Sequence, residues 1–517
     1  MSALSRHGVI TTPHPDASAA GLRILQAGGS AIDAMIAASA TLTAVYPHMT
    51  GLGGDALWLL HDGQVRTIMG IGQAGQQLPE GGRIELRGPA SVATTAGAVA
   101  SWQTALQVSR HDWGSRFTVA DLLADAQHHA RHGVEVSTSQ LFWQGHRKAL
   151  IDTLPGMHDL CKIDGRWLTH GDTLYQPRLA DTFEHLARRG FDDFYHGELA
   201  QAFADEFQRL GCGLRAGDLA ATQAPEIAPI AVRYRQGQLF NVAPPCQGLY
   251  TLQAMHALNA CDVAACGNGS AAYYHLLVEA IKQALLQRNL ELHDPAGSDW
   301  DFAASLNIQR PLDPLQASPW NEVGRPADTA WMAATDREGR TACLIQSLFH
   351  DFGSGVMMGD TGVLWQNRAA GFSPVAGHPN AWAPGKRPAH TLNPSCYLAD
   401  DGSRMFFGTQ GGDGQPQTQM VLATQLIDFQ QPLDRALRQP RFLLGRSFFD
   451  GSDNLKVEAD IGESVAHALS AWGHDVEVIH ELNPFTGQAG GICIDTAGIC
   501  VAAHDPRGQG LALPVAE

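Results

Sequence analysis

Positive charge is scarce in this sequence: 35 lysines and arginines stand against 52 aspartates and glutamates, a formal net charge of −17 with histidine neutral. A general nucleic-acid binder needs basic stripes to displace phosphate counterions, so that class is excluded. The acidic residues are scattered and read as solubilising surface charge. Long apolar runs are missing as well. The longest, around residues 34–45, carries Ser39, Thr41 and Thr43 and is too short to span a bilayer. Residues 1–13 have no cationic start followed by an apolar stretch, so no signal peptide is expected. The nine cysteines form no CxxC pair, and their odd number points to buried thiols in a reducing, cytoplasmic setting rather than to a disulfide frame or a zinc site. There is no EF-hand spacing and no GxSxG elbow. The turn Gly51-Leu52-Gly53-Gly54-Asp55 lacks a Walker lysine and follows a helix, where a dinucleotide fingerprint follows a strand, so it reads as a tight helix-to-strand turn. His128, His129 and His132 share a predicted helix, but Arg131 sits among them and no HExxH glutamate accompanies them; they read as a solvated face.

What is present suffices for a large core. Hydrophobic residues are 44% of 517, and a chain of this length predicts about two to four domain-sized units or one large intertwined fold. Helical spacing predicts helices over 17–27, 30–46, 97–109, 117–132, 139–152, 176–188, 196–210, 246–259 and 271–293. Prolines at 295, 311, 314, 319 and 326 break all periodicity across 295–328, which reads as a long exposed connection. Beyond it the pattern shortens to strands at 330–336, 341–347, 363–366, 395–399 and 404–407. Helices at 415–429 and 463–472 and strands at 475–479, 489–494 and 499–503 follow. Layered α and β is expected, not βαβ repeats.

The most informative stretch is Ala327-Asp328-Thr329-Ala330-Trp331, where a strand begins abruptly on a threonine and turns back at Asp336–Arg340. A plain hairpin accounts for the spacing. So does a self-processing hydrolase: cleavage between Asp328 and Thr329 would free an α-amine of pKa near 8, able to deprotonate its own hydroxyl. Spacing alone leaves both readings open.

The order of motifs resembles the γ-glutamyltranspeptidase family of N-terminal-nucleophile hydrolases. Thr12-Pro13-His14-Pro15, Gly28-Gly29-Ser30-Ala31-Ile32-Asp33-Ala34, the Gly51–Asp55 turn and Gly97-Ala98-Val99-Ala100-Ser101-Trp102 carry the similarity in the first part. Pro244-Pro245-Cys246-Gln247-Gly248 and His275…Glu279-Ala280…Lys282 extend it. Phe352-Gly353-Ser354-Gly355, Gly385-Lys386-Arg387-Pro388 and Gly408-Thr409-Gln410-Gly411-Gly412-Asp413 complete it. The resemblance implies an α+β fold, a four-layer αββα sandwich with a helical N-terminal part, made as a precursor. That precursor would cut itself into residues 1–328 and 329–517, a heterodimer of the two chains that could pair again, with no cofactor and no metal. It also implies Thr329 as nucleophile, its own amine as base, Ser347 in the position of a threonine that bonds the nucleophile, and Gly411 and Gly412 as oxyanion donors. A bare tight turn at the two glycines is compatible with that role.

The departures bear on the substrate. Where γ-glutamyl binders of the family carry an arginine for the α-carboxylate, this sequence reads Met69-Gly70-Ile71-Gly72-Gln73-Ala74-Gly75. Gly371 replaces the acidic residue for the α-amine, and His390-Thr391 replaces a serine pair. A glutamyl zwitterion would be desolvated there without compensation. Arg368, with Asn367, His390 and Thr391, offers instead a pocket for a carboxylate beside an amide, although an exposed arginine at a strand end is an equally simple reading. This combination is most similar to the branch that hydrolyses oxamate to oxalate and ammonia in bacterial purine breakdown. A γ-glutamyl hydrolase or transpeptidase, a dicarboxylic acylase, and a non-catalytic protein retaining the fold are the alternatives.

Overall fold

The computed structural model describes residues 2–306, 311–320, 328–446 and 451–516. Two seven-stranded antiparallel sheets face each other. One runs Leu511–Pro514, Val9–Thr12, Asp328–Thr335, Thr341–Phe349, Asp55–His61, Val65–Gly70, Glu226–Ile227. The other runs Ala3–Ser5, Cys500–His504, Ala489–Ile494, Arg404–Thr409, Ser395–Ala399, Gly237–Asn241, Ile230–Tyr234.

Side chains alternate across a strand, and here both faces of each sheet are covered. Leu57, Leu59, Trp331, Ala333 and Ile345 of the first sheet meet Phe406, Cys396 and Ile492 of the second. On the first sheet's outer face Trp58, Leu60, Met332 and Leu344 pack on the helix Ala31–Val45. All fifteen residues of that helix are buried, and its run of alanines lets the backbone lie close to the strands. A capping box between Ser30 and Asp33 starts it. On the far side Tyr234, Leu239, Tyr397 and Phe407 carry the helices Gly248–Leu258, Ala271–Glu291 and Gln415–Ile427. The order is helix, sheet, sheet, helix: the α+β four-layer sandwich the resemblance implies.

The sheets come very close around Trp331, two residues after Thr329. A Cβ on Gly408 would lie 2.2 Å from its ring, and one on Gly490 2.3 Å. Only glycine lets the second sheet approach there.

The halves of the chain are not separate units. Asp328–Thr335 lies between Val9–Thr12 and Thr341–Phe349, so the 328–329 bond sits at the end of a central strand. The sequence pattern places strands mainly in the second part; the short Val9–Thr12, Val65–Gly70, Ile230–Tyr234 and Gly237–Asn241 escape it because they are too brief for periodicity. The expected exposed connection is found where it is described, mostly exposed and without strand or helix over 311–320, but it is tethered to the fold. Within 311–320, Ser318 donates its N–H to Glu279 and accepts from Lys282, and the Asp313 carbonyl meets His275 Nε2. Residues 307–310 and 321–327 of that stretch lie outside the described residues.

Candidate active site

Thr329 is fully buried at an irregularity of the central hairpin. Asp328 pairs with Phe349 and Ala330 with Gln346, so Thr329 stands opposite two residues, Ser347 and Leu348. Such a bulge re-aims a side chain. Gln415 Nε2, in the first turn of the helix Gln415–Ile427, donates to Thr329 Oγ1 at 3.3 Å. The hydroxyl of Ser347 accepts the Phe349 N–H at 2.7 Å.

The twin glycines precede that helix with positive φ, +120° at Gly411 and +51° at Gly412. The Gly411 carbonyl accepts from the Gly414 N–H and the Gly412 carbonyl from Gln247 Nε2 at 2.9 Å. Gln247 also donates to the Thr391 carbonyl at 2.7 Å, and its Oε1 accepts from Arg288 at 3.0 Å. Arg288 pairs with Asp413 at 3.0 Å. One side chain therefore binds the glycine turn to the His390-Thr391 segment.

Arg368 is not the exposed strand-end arginine that sequence leaves open. It is fully buried, donates from Nη1 to Thr391 Oγ1 at 3.4 Å, and lies 3.8 Å from the ring centre of Phe349. Its Nε and Nη2 have no hydrogen-bond partner among the described residues. Burial pushes its pKa down to about 9, opposed by Asp55 and Asp413, so it stays charged at neutral pH. His390 Nε2 lies 3.1 Å from Asp55 Oδ2, and burial together with Arg368 pushes the ring down to about 4. Asn367 is brought alongside but is engaged with backbone: Oδ1 accepts the His350 N–H and Nδ2 donates to the Leu86 carbonyl. It shapes the site rather than presenting a free amide.

A cavity of about 420 Å³ opens on this cluster, with Phe349, Gly371, His378, His390, Thr391 and Asp413 in its wall. Asp413, paired with Arg288, is the one carboxylate among its described lining residues. The Gly70–Gly72 segment has no room for an arginine's stem: a Cβ on Gly72 would lie 1.8 Å from the Thr95 carbonyl oxygen.

Sequence reasoning misses Asp55, Phe349, Gln247 and Gln415 as site residues. Asp55 figures there only as the end of a glycine turn. In the fold its buried carboxylate accepts from the N–H groups of Gly72 and Gly97 and from Gln366 and His390, clasping four segments under the site. The signal for Gln415 lay three residues beyond the glycine motif.

Among the described residues one group could hold a metal: His275, Glu279 and His474, all buried. Lys282 already supplies the cation, 2.9 Å from Glu279 Oε1 and 3.4 Å from His474 Nδ1. The helix carrying His128, His129 and His132 leaves His128 and His132 exposed, as a solvated face should be. No helix among the described residues is long and apolar enough to cross a membrane.

Layering of this kind, with the strands of both halves interleaved, is the architecture of the N-terminal-nucleophile hydrolases, and the chain has that fold. The profile of the Gamma-glutamyltranspeptidase family matches residues 17–515. Over 524 aligned residues the chain is 40% identical to the oxamate amidohydrolase proenzyme of Klebsiella pneumoniae, covering 99% of each. It is 35% identical to the glutathione hydrolase-like YwrD proenzyme of Bacillus subtilis, again over 99% of each. A cephalosporin acylase from Bacillus halodurans superposes with a TM-score of 0.88 at 26% identity, over 100% of this chain and 97% of that one. The chain belongs to the γ-glutamyltranspeptidase family and stands among amidohydrolases whose relatives are described as proenzymes.

Proposed function

We propose that the protein is a self-processing amidohydrolase that acts on a small anionic amide, with oxamate as the substrate that fits best. The observation that carries this reading is Arg368: a fully buried guanidinium whose Nε and Nη2 have no partner among the described residues, beside the Thr391 hydroxyl and under the ring of Phe349, the strand partner of Asp328. A buried charge without a partner is costly unless a ligand completes it, and a guanidinium fork matches a carboxylate.

In processing, Thr329 Oγ attacks the Asp328 carbonyl carbon; the peptide C–N bond breaks and an ester forms. Water then hydrolyses the ester, giving Asp328 a carboxylate and Thr329 a free α-amine. The products are chains 1–328 and 329–517, which stay together because their strands share both sheets. In turnover the α-amine takes the hydroxyl proton as Oγ attacks the substrate amide. Negative charge on the tetrahedral oxygen falls to the N–H groups of Gly411 and Gly412. Collapse returns the proton to the leaving nitrogen, ammonia departs, and water hydrolyses the oxalyl ester. Arg368 and Thr391 hold the carboxylate, while His390, neutral at pH 7 and anchored to Asp55, walls the pocket.

The 40% identity to an oxamate amidohydrolase proenzyme supports this substrate. Against a γ-glutamyl substrate stands the lining: its one described carboxylate is committed to Arg288, leaving no partner for an α-ammonium. A second reading, an acylase for longer dicarboxylic side chains, is favoured by the 420 Å³ volume, which exceeds what an oxalyl group fills. The cytoplasm suits all nine cysteines being free thiols. The test is incubation with oxamate, with a γ-glutamyl anilide and with a glutaryl amide, measuring ammonia and released amine. Anilide turnover without ammonia from oxamate would overturn the assignment.

A further inference from the structure

Phe349 holds an unusual position. It is the strand partner of Asp328, the residue whose carbonyl is cut in the proposed processing. Its backbone is at φ +81°, a left-handed conformation that a bulky side chain rarely adopts and that persists only where surroundings impose it. Its ring lies on the Arg368 guanidinium at 3.8 Å. Phe349 belongs to the wall of the 420 Å³ cavity; Arg368 does not. In the uncleaved chain the ring that lines the cavity thus covers the guanidinium carbon of Arg368, whose Nε and Nη2 have no partner among the described residues.

We propose that Phe349 decides which anions reach Arg368: its ring shuts the guanidinium off in the uncleaved chain, and loss of the Asp328 pairing on cleavage lets it swing aside and open a carboxylate site. This rests on the reading of Thr329 as the cleaving residue. The physical reason is local. Hydrolysis of the 328–329 bond converts Asp328 into a chain end bearing a new carboxylate, which gains by leaving the strand pairing for water. Phe349 then loses its cross-strand partner and keeps its N–H bond to Ser347 Oγ, which closes a short turn, so that only the ring's contacts with His350 and Arg368 oppose rotation of the side chain. Relaxation of φ and of the ring exposes Nε and Nη2 together. The geometry selects a ligand that presents a carboxylate to both, close enough to Thr329 for an adjoining amide carbonyl to be attacked. Because the cation–ring contact competes with the ligand, an anion must displace it, and a neutral amide has no means to do so.

The probe is oxalate, which has no amide to turn over, measured by titration calorimetry. Three proteins are compared: processed wild type, Thr329→Ala, which stays one chain, and Thr329→Ala/Phe349→Gly. Glycine adopts φ +81° freely, so this variant is expected to fold, and Thr329→Ala/Phe349→Asn serves as the second, asparagine being tolerant of that region. Thr329→Ala should bind oxalate at least about tenfold more weakly than the processed protein, the factor by which a mostly closed site lowers apparent affinity. Removing the ring should restore binding to within about threefold without any cleavage. Adding Arg368→Gln should abolish the restored binding. Equal binding by Thr329→Ala and the processed protein overturns the shutter and leaves the nucleophile assignment intact. Restored binding that survives Arg368→Gln also overturns it, since the anion then sits elsewhere. A wild type that remains one chain overturns the nucleophile assignment, and the proposed trigger with it.

Discussion

Gln415 Nε2 and Thr329 Oγ1 are 3.3 Å apart, both residues buried, so the carboxamide that opens a helix on one sheet holds the hydroxyl that begins a strand of the other. The Oε1 of Gln415 is without a partner among the described residues. Gln415→Leu keeps the volume and removes the donor. Self-cleavage and turnover are both expected to slow by about fivefold to tenfold, the worth of one neutral hydrogen bond. Time courses of chain cleavage and steady-state kcat check it; unchanged rates would remove Gln415 from the positioning of Thr329.

Intact mass separates the processed from the whole chain. Wild type should show two fragments of about 35 and about 20 kDa, by share of the 55.4 kDa chain. Thr329→Ala should remain whole, and Thr329→Ser, which retains both hydroxyl and amine, should cleave and retain activity. A folded Thr329→Ser without activity, or a cleaved Thr329→Ala, would count against the assignment.

In the proposed site Arg368 serves binding at the expense of stability. Arg368→Met is expected to lower kcat/KM for an anionic amide by roughly 2–4 kcal/mol, the cost of a lost charged hydrogen bond. The same change should stabilise the fold by about 1–3 kcal/mol, because it takes Nε and Nη2, unpartnered among the described residues, out of the interior. Kinetics and chemical denaturation on one variant report both, and a destabilised Arg368→Met would mean the guanidinium is satisfied inside the fold.

Acid should weaken the protein through its buried imidazoles. His390 is pushed from 6.5 to about 4, chiefly by burial and then by Arg368. His14 and His504 are also pushed down to about 4. Between those two pH values the unfolded chain takes up protons that the folded chain refuses. Stability is therefore complete above pH 6.5 and falls as pH drops towards 4, by about 3 kcal/mol for His390 alone. Denaturation at pH 7 and pH 5 should show the loss, and His390→Gln should reduce the difference. An equal loss in His390→Gln would clear this ring of the effect.

Much of the candidate site was legible in the linear order of residues. A threonine opening a strand after a proline-broken stretch, a Gly411-Gly412 pair and an arginine near His390-Thr391 all carry their meaning locally, because turns, strand starts and guanidinium chemistry depend on residue type. The capping box at Ser30 and Asp33 and the hairpin at Asp336–Arg340 are legible for the same reason. The family's motif order made the fold legible as well.

What spacing alone could not supply is contact between distant segments. Asp55 and His390 are 335 positions apart, and Thr329 and Gln415 are 86 apart. Nothing in local pattern records that Arg368 is buried under a phenyl ring, or that its Nε and Nη2 find no partner among the described residues. The sequence by itself determined which groups are available and where the chain turns. Only the tertiary structure decided which are desolvated together, because burial and the cost of an unpaired charge come from the packing of two sheets built from both halves of the chain.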